Sequence, residues 1–576
     1  MSEILFKNGI IVDGTRNPRF KADVAISNGR IAEITRKLTF KADRVVDATG
    51  LVVSPGFIDL HTHSDRTILT NNKATSSILA GVTTEAVGNC GSSVYGYSCD
   101  APELHSRASR ARGWVQNAAL KWSTVQGFRE TLGEKGIGVN IAPFIGHNTI
   151  RMSVMGPEGE GGEKMVPSKG EMDDMTELVE GAMAQAAFGM TTGLRYTPGR
   201  NALADEVIDL CRVVSEQGGV YMSHIRDSGR YLIEAVHEFI EICGKAEVRG
   251  CLSHNKAVEP QNWGKPCEVV RILENARSRG IEVICDVYPW NYSSAANLCR
   301  WFISGWGRNL GIDGHYRPSE LSLETLLRDL RNPKLWTRIK REAQERYDAE
   351  YATNETRLSM SEVHDIPPFE VINPRTFECI TYSKTHPELV GKRFYEVAEA
   401  LGAEDHWEAI RRVLLDDDGH TFTGGGGISE GDICTILLFP ACAISTDGST
   451  RDTPSTVMKP AHPRNYGTFA KVLQYYARET GAIRLEEAVR KMTSLPANFL
   501  GLNDRGLLRP GMWADLTIFD YSRITNTATF AQPDRYPAGI EYVLVNGEIA
   551  AEKGERTAIL SGKVLQRPPS TPLAIA

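Results

Sequence analysis

Two histidines one residue apart, His61 and His63 in the run GFIDLHTHSD, close an apolar stretch and have the chemistry to bind a metal ion. On a strand, residues i and i+2 share a face, and neutral imidazole is a favoured ligand for zinc-type ions. The preceding GLVVSPGFIDL reads as a short buried strand, which would present both rings at its C-terminal end. Other reactive residues close further apolar runs: Cys90 in TTEAVGNC, His147 in IAPFIGH, Tyr196 in GMTTGLRY, His224 in GVYMSHI, His254 in VRGCLSH, Asp286 and Tyr288 in VICDVYP, and Asp447 in ACAISTD. Histidines scattered over a surface by chance would not gather at strand ends in this way. Thiol, imidazole and carboxylate together are the ligand chemistry of a zinc site. Each residue also has a plainer reading. Free cysteines mostly pack as small hydrophobes, and Asp447 in STDGS has the sequence of a turn cap. His147 reads as a structural histidine or a transition-state hydrogen-bond donor rather than a ligand. His105, His237, His315, His364, His386, His406 and His420 fall in helical or loop stretches and are read as solvated or structural.

The elements that must position these residues follow from the pattern around them. Eight strand-like runs alternate with amphipathic helical stretches such as DEVIDLCRVVSEQ and LIEAVHEFIEICGKA. That alternation predicts an α/β chain with parallel βαβ units, and eight of them predict a (β/α)8 TIM-like barrel. Barrel active sites lie at the C-terminal ends of the strands, where the reactive residues fall. Residues 1–54 and 500–565 share a turn-rich β pattern and predict one small β-sandwich domain built from both termini around a barrel at 55–499. Asn-Gly at Asn8-Gly9, Asn28-Gly29 and Asn546-Gly547 predicts hairpin turns. Residues 298–440 read as an insertion before the last barrel strand, over the barrel mouth. Its run Gly424–Gly427 lacks the G-K-[ST] of a phosphate loop and reads as a connector.

Size and composition narrow the function classes. A chain of 576 residues predicts about two domains with insertions. A net charge of −7 gives no electrostatic footprint for nucleic acid. The 11 cysteines form no C-x-x-C pair, which favours free thiols in a reducing compartment. The N-terminal segment lacks the apolar core of a signal peptide, and no apolar run reaches bilayer length. The expectation is a cytoplasmic enzyme with a small-molecule partner and neither nucleic-acid nor membrane partner; a homo-oligomer is left open.

Together these residues resemble the amidohydrolase superfamily, and within it the N-acyl-D-amino-acid deacylases (D-aminoacylases). The motifs that carry the resemblance are GFIDLHTHSD, GVTTEAVGNCG, FIGHNTIR, TTGLRYTPG, MSHIRDSG, LSHNKA, DVYPW, STDG and HPRNYGTF, in the family's order. The resemblance implies that Cys90 replaces the carboxylated lysine of relatives as a bridging ligand. It implies a tight zinc site from Cys90, His224 and His254, and a second, weaker one from His61, His63, Cys90 and Asp447. It further implies that Lys256, Tyr288, Ser294 and Arg464 hold a substrate carboxylate, for which Arg offers a fork and Lys a point charge.

The implied reaction is hydrolysis of a linear amide, releasing a carboxylate and a free D-amino acid. Asp447 serves as general base and then acid, and His147 donates a hydrogen bond to the developing oxyanion. Cyclic amides (hydantoinase or dihydropyrimidinase chemistry), N-formyl and N-carbamoyl groups are alternative substrates for the same centre. A non-catalytic scaffold relative would lack the ligands. Three departures from the family pattern bear on side-chain preference: YPWNYSS for YPYTAGS, Asn255 where a second His is common, and the long 298–440 segment.

Overall fold

The computed structural model describes residues 3–97, 122–161, 166–196, 198–258, 260–293, 296–302, 323–351, 379–424, 427–452, 462–530 and 532–569. Eight parallel strands follow one another around the barrel: β1 (Phe57–Asp59), β2 (Val82–Val87), β3 (Asn140–Pro143), β4 (Gly189–Gly193), β5 (Val220–His224), β6 (Arg249–Leu252), β7 (Val283–Val287) and β8 (Cys442–Ile444). β1, β2 and β3 form one ladder. The short continuation of β3, Ile145–Gly146, pairs instead with β4, and β4 to β8 then pair in sequence. The chain changes sheets at Phe144, whose N–H donates to Val87 O at 2.9 Å, while Phe188 N–H reaches across to Pro143 O at 2.8 Å. Between β8 and β1 the ladder shrinks to a single parallel bridge, Thr62 to Gly448, just past the strand ends.

Every residue of β2, β4, β5 and β7 is buried, as expected for parallel strands covered on both faces. The covering helices are amphipathic. Ala204–Glu216, for example, buries Val207, Ile208, Leu210, Cys211 and Val214 on one face. The cysteines of the described residues are free, and no helix among them is long and apolar enough to cross a membrane.

Both termini build a nine-stranded sheet. Its halves join where Val52–Pro55 pairs antiparallel with Leu516–Phe519, Thr517 opposite Ser54. Asn28-Gly29 (φ 51° and 77°) and Asn546-Gly547 (φ 50° and 84°) form the expected tight turns. Asn8-Gly9 does not. It lies inside the strand Ile4–Ile11 as a bulge, where the register shifts between Phe6 and Gly9. Asn8 N–H donates to Asp23 Oδ1 at 2.8 Å, and its side-chain amide donates to Asp47 Oδ1 at 3.1 Å. A Cβ at Gly9 would stand 2.7 Å from Val53 Cγ2, so this glycine allows a close approach of strands rather than a turn.

The segment between β7 and β8 has its own core, in which Phe302 packs against Trp336 and Trp407 with ring centroids 5.7 and 6.0 Å away. It attaches to the barrel through paired hydrogen bonds between Asn291 and Ile428 and through Trp263 Nε1 to Gly427 O at 2.7 Å. The helix Glu430–Leu438 already belongs to the barrel layer, since Ile433, Ile436 and Leu437 bury in the barrel core. The chain thus rejoins the barrel before Pro440.

Candidate metal centre

The strand ends converge as the barrel geometry requires. Cys90 Sγ lies 3.3 Å from His61 Nε2, 3.5 Å from His224 Nδ1 and 3.5 Å from His254 Nε2. A tetrahedral zinc ion with Zn–S of about 2.3 Å and Zn–N of about 2.0–2.1 Å would separate its S and N ligands by about 3.5 Å. The donor set and its spacing therefore fit zinc. His224 Nδ1 and His254 Nε2 are closer, at 2.8 Å, so that pair must open slightly around a shared ion.

His61, Cys90, His254 and Asp447 offer ligand atoms that all lie within 4.8 Å of one another. His63 joins through Asp447, its Nε2 3.1 Å from Oδ1. Both expected groups are brought together, Cys90 with His224 and His254 at 2.8–3.5 Å and His61 and His63 with Cys90 and Asp447 at 3.1–3.6 Å, and they share Cys90. Cys90, His254 and Asp447 all sit on turns just past the strand ends.

Those turns are strained. Cys90, His254 and Asp447 have φ of 54°, 40° and 46°, left-handed values that non-glycine residues seldom adopt. Strain of this kind persists where the surroundings over-determine it, and it clusters at functional sites. Around Cys90, Thr191 Oγ1 accepts from Gly91 N–H at 3.1 Å and donates to Gly88 O at 2.5 Å, holding the GNCG turn onto β4. Asn148 pins the end of β4 in turn, with hydrogen bonds of 3.1 Å to both Gly193 N–H and Gly193 O.

Electrostatics favour a ligating thiolate. Burial alone would raise the Cys90 thiol, but the neighbouring imidazoles, His61 first, outweigh it and hold the thiol well below its usual range. Burial and neighbouring His254 push His224 down to about 3, leaving a neutral imidazole with a lone pair to give.

A family model described as amidohydrolase matches residues 44–265 and 446–551. This chain belongs to the amidohydrolase family. It is 31% identical to a D-aminoacylase of Alcaligenes xylosoxydans xylosoxydans over 566 residues, 98% of each chain. The crystal structure of an N-acyl-D-glutamate deacylase from Bordetella bronchiseptica, complexed with zinc and a phosphonate inhibitor that mimics the tetrahedral intermediate, superposes with a TM-score of 0.74 at 28% identity, covering 98% of this chain and 99% of that one. A D-aminoacylase studied for the role of its binuclear metal center gives a TM-score of 0.72 at 28% identity over 98% of this chain and 100% of that one.

Two cations stand beside the cluster of this amidohydrolase. Lys256 Nζ is 2.9 Å from His254 Nδ1 and 5.2 Å from the Tyr288 ring centroid. Burial pushes Lys256 down to about 8. The Arg464 guanidinium lies 4.9 Å from the same ring, and its Nη1 is 2.9 Å from Asp447 Oδ2. That contact joins opposite charges without hydrogen-bond alignment, and Arg464 Nε, Nη1 and the Tyr288 hydroxyl are buried with no hydrogen-bond partner. Such donors suit an incoming anion. Ser294 lies outside the described residues.

His147 is anchored on one ring nitrogen. Its Nε2 is 2.8 Å from Glu206 Oε1, Arg151 pairs with the other Glu206 oxygen, and all three are buried. Its Nδ1 has no hydrogen-bond partner. The Glu206 contact ties His147 to the barrel wall, and among the described residues no hydrogen bond joins it to the cluster. Three carboxylates without a role in the sequence reading gain one here. Asp286 Oδ1 accepts from His254 N–H at 3.0 Å and from Ser445, while Oδ2 lies 3.6 Å from His61 Nδ1. Glu206 anchors His147, and Asp59 holds the barrel seam. Asp59 and Asp286 stand at or next to strand ends, which was the available signal; Glu206 lies in the first turn of the helix Ala204–Glu216 and carried none.

Proposed function

We propose that the chain is a zinc-dependent hydrolase of linear amides that deacylates N-acyl-D-amino acids to a carboxylate and a free D-amino acid. The observation that carries this reading is the thiol–imidazole–carboxylate cluster with two buried cations, Lys256 and Arg464, on one side of it. Relationship to a D-aminoacylase along 98% of the chain supports it. His61, His63, Cys90, His224, His254 and Asp447 would hold the metal. Zinc, when bound, supplies a Lewis acid that makes a water acidic enough to attack near neutral pH and polarises a carbonyl.

The chain's own residues do the rest. Asp447 takes the proton of the attacking water and returns it to the leaving nitrogen. Arg464 and Lys256, with the Tyr288 hydroxyl and Ser294, hold the substrate carboxylate, so the scissile amide is oriented before the bond breaks. Arg464 is shared between Asp447 and that carboxylate. Glu206 fixes the His147 ring through Nε2, leaving Nδ1 unpartnered. The cations favour an acyl-amino acid over a cyclic amide, which offers no free carboxylate.

Amine release from matched N-acetyl-D- and N-acetyl-L-amino acids by the zinc-loaded protein tests this. Release from the D series alone is expected. No release from either series, with zinc bound, would overturn the deacylase reading.

A further inference from the structure

The barrel closes weakly at the place where its chemistry is densest. Every other strand junction carries a ladder of at least two register pairs, but between β8 and β1 there is a single bridge, Thr62 to Gly448. Two backbone hydrogen bonds frame it, Asp447 N–H to His61 O at 2.9 Å and His63 N–H to Gly448 O at 2.7 Å. The residues on both sides of the seam are those of the cluster, so any opening of the seam moves Asp447 away from His61 and His63.

One side chain spans this seam from below. Asp59, 1% exposed at the end of β1, accepts three hydrogen bonds. Its Oδ1 takes His61 N–H at 3.2 Å and Thr446 N–H at 3.0 Å, and its Oδ2 takes the Thr446 hydroxyl at 2.6 Å. Thr446 Oγ1 in turn accepts Gly448 N–H at 3.0 Å. The residue before Asp447 and the residue after it are therefore both tied to one carboxylate, directly or through one hydroxyl. Asp447 between them has φ 46°. A left-handed non-glycine residue relaxes unless its flanks are held, and here the holding group is Asp59.

We propose that Asp59 is a positioning residue for the proposed hydrolysis: through Thr446 it fixes the left-handed turn that aims Asp447 at His61 and His63. It touches neither ligand atoms nor substrate. The proposal rests on the deacylase reading for its kinetic test, and on the seam alone for its spectroscopic one.

The experiment compares Asp59→Asn, Thr446→Val and Thr446→Ser with the wild type. It measures bound metal per chain, kcat and KM on the N-acetyl-D-amino acid that the wild type turns over best, and the visible ligand-field bands of the cobalt-loaded protein. Positional partners of metal sites are worth about 10–100-fold. Expected are unchanged metal content, unchanged KM, a kcat lower by about 10–100-fold in Asp59→Asn and Thr446→Val, and shifted cobalt bands in both. Thr446→Ser, which keeps the hydroxyl, should restore kcat and bands. Thr446→Val is isosteric and keeps the test valid if Asp59→Asn does not fold. Wild-type kcat and cobalt bands in Thr446→Val would overturn the proposal, as would equal losses in Thr446→Val and Thr446→Ser. A wild-type protein that released no amine would defeat the deacylase reading, while the cobalt bands would still decide the role of Asp59.

Discussion

Substituting Gly193 by alanine tests whether the cluster depends on the placement of the Cys90 turn. Gly193 ends β4, and a Cβ there would stand 2.3 Å from Cys90 O, 2.9 Å from Cys90 C and 3.0 Å from Tyr196 Cδ2. Ordinary contact for a Cβ begins at 3.4 Å, so the Cys90 carbonyl must retreat by about 1 Å. The strand cannot yield instead, because Gly193 is paired in register with His224 and pinned on both backbone groups by Asn148. The Cys90 turn gives way, and Sγ moves with it. A misplacement of about 1 Å near reacting groups costs about 100-fold, or about 2.7 kcal/mol of transition-state stabilisation at 1.36 kcal/mol per decade. Zinc content, kcat/KM on an N-acetyl-D-amino acid and Tm should be measured together. Gly170→Ala is the control: it sits in the helix Lys169–Ala184 with nothing within 4 Å of the added Cβ. It should not destabilise the fold and should leave kcat/KM unchanged. Full zinc content with kcat/KM within about threefold of wild type in Gly193→Ala would refute the reasoning, since the expected loss is about 100-fold.

Asp447→Asn should keep metal bound and lose nearly all turnover; retained turnover would remove Asp447 as the base. Cys90→Ala should lose zinc and activity together, measured by metal analysis and amine release, and a fully metallated active variant would make Cys90 a packing residue. Arg464→Lys keeps the charge but loses the fork, so KM for carboxylate-bearing substrates should rise by about 10–100-fold, the equivalent of one charge-assisted hydrogen bond of about 1.5–3 kcal/mol; an equal effect on an amide lacking the carboxylate would refute the clamp. Glu206 is held below its ordinary value of 4.5 although burial opposes this, because His147 and Arg151 favour its charged form. Its contribution to stability is therefore complete above pH 4.5 and is lost as pH falls through the lower folded value. Glu206→Gln should lower stability by about 3–5 kcal/mol at neutral pH, as expected when a buried pair is broken, and should flatten the acid side of a Tm–pH profile; an unchanged profile would argue against the pair.

The eight barrel strands were legible because parallel strands covered on both faces are short, continuous apolar runs, and each ends in a residue that departs from that pattern. Asn28-Gly29 and Asn546-Gly547 were legible as turns because few residue pairs adopt left-handed φ so readily. Asn8-Gly9 carries the same local signal, yet Asp23, Asp47 and Val53, all distant in sequence, make it a bulge. The helix Glu430–Leu438 read as part of the insertion for a similar reason: its apolar residues suit either layer, and contact with the barrel core assigns it.

The sequence by itself determined which chemistry this protein carries. The types of ligand and their places at strand ends follow from local hydrophobic patterning, and the strand order then brings those ends to one mouth. Tertiary structure alone decided how they meet. Cys90, His254 and Asp447 lean together through left-handed turns that neighbouring strands impose. Asp447 pairs with Arg464, and His147 pairs with Glu206. Asp59 reaches Thr446 over 387 positions of chain to hold the closing seam. Such pairings depend on long-range closure and backbone handedness, which residue spacing does not encode.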